Sequence, residues 1–241
     1  MLTQRCLKLL TVAAVFFAVA GQAQVSYTWT NIVGGFWTDS GSWSNVPPSG
    51  GQTNVVLVFR GMSAGVPTPT TYTSFNNFPG TFILNGLRVS TGTVTLAGGD
   101  LLFTNRAAGA AADDPFLSNH SGNPLVISNN IGVNAITFTI AATNDITLYG
   151  NFTTLAANTN VIKTGPGTLT LSGETTLAGN FSIAGGNVVN ITSNLTVRGS
   201  IGFILSQLAG IAGQTAVVNQ ISGTVRVAND LRVGNIANTR S

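Results

Sequence analysis

Charge is what this chain has least of. Acidic and basic residues together make up 7% of it, against about 25% in ordinary globular proteins. Glu174 is the only Glu, and Lys8 and Lys163 are the only Lys. The long polar side chains that clothe helix surfaces are nearly missing, which excludes a fold built of amphipathic helices. Disorder does not follow, because 44% of the residues are apolar and a disordered chain needs low hydrophobicity as well as polar bias. Cys6 is the only cysteine and His120 the only histidine. That excludes a disulfide framework, a thiolate metal site and a histidine cluster for metal. Basic clusters are missing too. Arg60, Arg88, Arg106, Arg198, Arg226, Arg232 and Arg240 are scattered singly, whereas a nucleic-acid surface needs grouped charge to release counterions.

The one long apolar run is at the start. Arg5 and Lys8 precede Leu9–Ala20, twelve uncharged apolar or small residues followed by Gly21-Gln22-Ala23. A basic region, a short apolar stretch and small residues at its end predict a secretory signal peptide over 1–23, cleaved after Ala23, with Ala20 as the second choice. As a helix, twelve residues span only about 18 Å of a hydrocarbon core about 30 Å thick. A membrane span in the mature chain is therefore not expected. Removing the leader takes Cys6, Arg5 and Lys8 with it and leaves eight basic and seven acidic residues.

What the sequence has in plenty is Gly, Asn, Thr and aliphatic residues, in short alternating units. NGLRVSTG (85–92), GTVTLAGG (92–99), NDITLYGN (144–151), GTLTLSG (167–173), GNFSIAGG (179–186), SNLTVRGS (193–200) and NDLRVGN (229–235) share one plan. A turn residue leads into two apolar residues spaced by one, and Gly or Asn ends the unit. Period-two alternation over four or five residues describes a strand with one buried face. A strand this short buries two or three side chains, worth about 1.5–3 kcal/mol each, against about 1–2 kcal/mol of backbone entropy per residue fixed. Such units persist only by stacking, so the reading is an all-β, right-handed parallel β-solenoid (β-helix), with a β-sandwich as the alternative. Residues 24–60 read as a Trp-rich N-terminal cap with the first strands. Residues 61–241 read as the repeats, interrupted by an insertion loop near 104–123.

Candidate chemistry is sparse. Asp113 and Asp114 are adjacent, and on an extended chain adjacent side chains diverge, so they read as a solvated turn rather than a catalytic pair. Asp39, Asp100, Asp145, Glu174 and Asp230 are isolated. Stacking of coils could still bring Asp145 and Asp230 beside Arg88 or Arg232, the way a β-helix polysaccharide lyase or hydrolase groups its charges. There is no phosphate-binding Gly loop, no nucleophile elbow and no calcium-loop run of aspartates. No catalytic, metal or cofactor-binding residue is assigned, and no cofactor. Trp29, Trp37 and Trp43 read first as a cap over the first coil, and second as flat faces for a cell-surface or extracellular polysaccharide.

Lys163-Thr164-Gly165-Pro166-Gly167-Thr168-Leu169-Thr170-Leu171-Ser172-Gly173 resembles the K-x-G-x-G-T-L-x-L-x-G signature of autotransporter-associated β-strand repeat proteins, also called passenger-associated transport repeats. The opening 26–59, with its Trp, Gly and Pro spacing, and the stretches 116–133 and 144–151 resemble the segments around that signature. Glu174–Gly179 replaces the family's usual N-x-Y-x-G-x-T continuation. The resemblance implies a secreted, non-enzymatic β-helical passenger, structural or adhesive, at the outer surface of a Gram-negative-type bacterium. After NDLRVGN the residues Ile236–Ser241 offer no helix, aromatic cap or charged run. The expectation there is an open last coil that self-associates end to end.

Overall fold

The computed structural model describes residues 23–60, 71–106, 114–184, 187–200, 202–205 and 216–233. Residues 1–22 of the leader, Asp113 and the terminal stretch 234–241 lie outside these residues. Among them, regular structure is short strand apart from one 3-10 turn at Ser40–Ser42. The strands fall into three sheets. The first stacks β1 (Val25–Trp29), β3 (Val55–Phe59), β6 (Gly86–Val89), β9 (Phe116–Asn119), β12 (Thr137–Ala142), β15 (Asn160–Thr164), β18 (Phe181–Ile183), β21 (Phe203–Leu205) and β24 (Leu231–Val233). The second stacks β2 (Gly35–Phe36), β4 (Thr71–Asn76), β7 (Thr93–Gly98), β10 (Leu125–Ile127), β13 (Ile146–Leu148), β16 (Leu169–Leu171), β19 (Val188–Ile191) and β22 (Val217–Gln220). The third stacks β5 (Phe82–Leu84), β8 (Leu101–Thr104), β11 (Ile131–Asn134), β14 (Phe152–Thr154), β17 (Thr175–Leu177), β20 (Leu195–Val197) and β23 (Val225–Val227).

Every pairing between these strands is parallel, for example Ile146↔Leu169↔Val189 and Phe152↔Thr175↔Leu195. The chain runs through the three sheets in turn and then starts the next coil, which is a parallel β-helix. The β-sandwich alternative fails because its hairpins would pair antiparallel. Hydrogen-bond partners one coil apart are 22 to 24 residues apart in the compact middle coils. They are 30 apart where residues 107–113 or 206–215 intervene. The interruption expected near 104–123 is narrower than that, because Phe116–Asn119 form β9 in register with β6 and β12.

The alternation read from the sequence sets the packing. Three-residue strands repeat the pattern buried, half-buried, buried. Like residues pile up along the axis, as in the inward row Leu57–Leu87–Leu117–Ile140 of the first sheet. Leu169 and Leu171 in the signature strand are buried, and Thr170 between them is half-buried on the outer face. Leu169→Ala is therefore expected to cost about 2–5 kcal/mol, and Thr170→Ala less than about 1 kcal/mol. Urea denaturation of the two variants checks this, and equal small losses would mean the inward face is misassigned.

Buried amides close the corners. Asn76 and Asn129 both donate to the Gly99 carbonyl, at 3.1 and 2.7 Å, and Asn119 donates to the carbonyls of Asn123 and Asp145. The Gly99 and Asn123 carbonyls are thereby satisfied by side chains, and an unpaired buried carbonyl costs about 1–3 kcal/mol. At the other end of the described chain, Leu231 of β24 is 59% exposed, while Phe203 and Phe181 in the same row are buried.

Candidate functional site

The three tryptophans form a plug. Trp29, Trp37 and Trp43 are 0%, 0% and 4% exposed. Trp43 stands edge-on to Trp29 at 4.9 Å and to Trp37 at 5.7 Å, and Trp37 stands edge-on to Phe82 at 5.1 Å. Their N–H groups donate to the Asn31 carbonyl, to Ser74 Oγ at 2.8 Å and to the Trp37 carbonyl at 3.0 Å. The reading of these residues as a glycan platform is corrected by that burial. A sugar ring needs an open indole face, and all three are packed against other rings.

The signature residues come together at two successive corners, and each joins one coil to the next. Lys163 occupies an inward position between Ile140 and Ile183 and is fully buried. Its Nζ donates to the carbonyls of Thr164 (3.1 Å) and Gly165 (2.7 Å) and to Asn187 Oδ1 (2.7 Å). Three acceptors match the three protons of an ammonium. Burial lowers its pKa from 10.5 to about 8, with Asp145 acting in the opposite direction. Asn187 itself is anchored by donating to the Ala184 carbonyl at 2.7 Å. Gly165 has φ +81° and its missing Cβ would lie 2.5 Å from the Ala142 carbonyl oxygen. Gly167 and Gly173 likewise face backbone of the preceding coil, at Asn144 and Gly150, the latter at 2.0 Å from the oxygen. Thr168 donates its N–H to Asp145 Oδ1 at 2.8 Å.

The acids do not converge. Asp145 precedes β13 in the second sheet, whereas Asp230 precedes β24 in the first, with three coils between them. At about 4.8 Å per rung the axial separation alone is about 19 Å. Asp230 pairs instead with its neighbour Arg232 at 3.1 Å, both exposed. Asp39 accepts the Phe36 N–H, and Asp114 accepts from Asn105. His120 is exposed, with Thr143 Oγ1 3.4 Å from its Nδ1. No group of three or more His, Cys, Asp or Glu that could hold a metal occurs among the described residues. No helix there is long and apolar enough to cross a membrane.

A feature missed in the sequence lies on the outer face of the third sheet. Asp100, Asn130, Asn151, Glu174 and Asn194 each stand just before one of its strands, and so form an axial row. Asn130 donates to Asp100 Oδ1 (3.0 Å), Asn151 N–H to Asn130 Oδ1 (3.0 Å) and Glu174 N–H to Asn151 Oδ1 (3.2 Å). Beside this ladder runs a groove of about 470 Å³ with Ile83, Leu102 and Leu155 as its apolar walls. A second groove of about 330 Å³ follows at Glu174, Asn194, Thr196 and Arg226. Aligning the units on their strand starts would have shown the polar row. The groove needs the tertiary structure, because its walls come from separate coils. No family model, curated protein or solved structure matches this chain.

Proposed function

We propose that this chain is a secreted, surface-exposed, non-enzymatic β-helical passenger with a structural or adhesive role, similar to the autotransporter-associated repeat proteins its signature resembles. In this reading it acts at the outer surface of a Gram-negative-type bacterium and meets cell-surface or extracellular polysaccharide. The carrying observation is that Lys163, Gly165, Gly167, Thr168 and Gly173 of the signature each meet a neighbouring coil. The leader over 1–23 supports export. A polysaccharide-binding module is the second reading, favoured by the long groove of the third sheet. A lyase or hydrolase fits less well, because hydrolysis needs two carboxyls flanking one bond and Asp145 and Asp230 stand on different sheets.

Two measurements test the proposal on the full chain in a Gram-negative host. The exported protein should begin at Gln24 and be cut by protease added to intact cells. Incubated with a panel of acidic and neutral polysaccharides, it should release no reducing ends or unsaturated products. Turnover abolished by Asp145→Asn or Asp230→Asn would overturn the non-enzymatic reading, and retention in the cytoplasm with an intact leader would overturn the surface reading.

A further inference from the structure

Two grooves follow one another along the outer face of the third sheet, and we propose that this face binds an uncharged linear polysaccharide lying along the helix axis. The inference rests on the passenger reading and deepens its adhesive side.

Three features select this ligand. The first is shape. In the outward row Ile83–Leu102–Gly132–Thr153, the third place has no side chain. A Cβ on Gly132 would meet Leu102 Cδ1 at 3.2 Å and Leu155 Cδ1 at 3.8 Å. The glycine therefore opens a trough between two leucines, and Leu155 is 60% exposed above it. Aliphatic walls of this kind suit the C–H faces of a pyranose ring. The third sheet stacks seven strands, so at about 4.8 Å per rung the face that carries the two grooves runs about 29 Å. That length suits a chain rather than a single small molecule.

The second feature is the polar edge. The ladder from Asp100 through Asn130 and Asn151 repeats once per rung, a spacing comparable with one sugar ring. Ladder bonds use one Asn130 amide proton and one lone pair of its oxygen. An amide has a further proton and a further lone pair, which point a donor and an acceptor at ring hydroxyls.

The third feature is charge. Asp100 is the one charged residue lining the first groove, and Glu174 and Arg226 offset each other in the second. An anionic chain gains nothing on this face and is repelled at Asp100. A peptide strand fits poorly as well, since addition of a strand needs a free sheet edge, and the backbone here is paired to neighbours on both sides in β8, β11 and β14.

Affinity electrophoresis of the mature protein in gels containing glucomannan, xylan or polygalacturonate tests this. Glucomannan, xylan or both should retard it, with polygalacturonate binding at least about tenfold more weakly. Gly132→Leu, which fills the trough, and Leu155→Ser, which removes a wall, should each weaken binding about tenfold or more. Thr147→Leu, a similar enlargement on the second sheet, should leave it unchanged, with circular dichroism reporting the fold of all three. Leu155→Ser changes an exposed side chain, so it keeps the test decisive if Gly132→Leu fails to fold. Retardation by neither neutral chain, equal binding of polygalacturonate, or wild-type binding by a folded groove variant would overturn the proposal. A chain displayed at the cell surface that binds neither neutral glycan overturns this inference and leaves the passenger reading standing. Breakdown of the polysaccharide would overturn the non-enzymatic reading even if the groove variants abolish binding.

Discussion

Lys163→Ala is expected to lower the unfolding free energy by about 4 kcal/mol or more. Two losses add. The substitution removes a fully buried four-carbon stem from an aliphatic row, a large-to-small change worth about 2–5 kcal/mol. It also removes the donor to the half-buried Thr164 and Gly165 carbonyls and to the buried Asn187 Oδ1, and losing a buried hydrogen-bond donor costs about 1–3 kcal/mol. Lys163→Met keeps the stem and removes the donors, so it should lose about half as much. Urea denaturation separates the two, and a Met variant as stable as wild type would show that the hydrogen bonds contribute nothing.

The same amine gives stability a pH dependence of defined sign. Its pKa falls from 10.5 to about 8 on folding because burial disfavours the cation. Below about pH 8 both states hold the proton, and the folded state carries the full cost of the buried charge. Between about 8 and 10.5 the folded state gives up the proton while the unfolded state keeps it, so stability rises with pH. Wild type should gain up to about 3 kcal/mol relative to Lys163→Met across that window. Burial raises the pKa of Tyr72, which works the other way once the unfolded phenol ionises. Tyr72 is present in both proteins and cancels in the difference. A wild type that loses ground to the Met variant would mean the three acceptors favour the cation more than burial penalises it.

Trp37→Ala should cost about 3–5 kcal/mol, concentrated at one end of the molecule. It removes the edge-on contacts with Trp43 and Phe82 and leaves the buried Ser74 hydroxyl without its indole donor. In a solenoid each coil is stabilised mainly by its neighbours. Hydrogen exchange should therefore accelerate in β3, β4 and β5 and stay unchanged in β16 to β20. Uniform acceleration along the whole chain would mean that the coils unfold as one unit and that the Trp plug is not a local cap.

Much of the site was readable only in part for a physical reason. The signature strand announced itself, because Leu169 and Leu171 flank Thr170 with a period of two and burial follows period directly. Lys163 was legible as part of a motif, but not as a buried cation. Its partner Asn187 lies 24 residues away, and nothing local marks either side chain as inward. The tryptophans carried two readings because an indole serves equally as core and as platform, and only packing chooses between them. Asp145 and Asp230 looked comparable in sequence, each before a short strand, until the coil assigned them to different sheets.

By itself the sequence determined the all-β class, the stacking of short strands and the inward leucines. Those follow from composition and local periodicity, which act on neighbouring residues. The tertiary structure alone decided which corners Lys163 and Asn187 share, how the acids are dispersed, and where Gly132 opens a trough between Leu102 and Leu155. These depend on coil length and on register between residues about 20 to 30 apart, and a shift of one residue in either would turn each of those side chains to the opposite face.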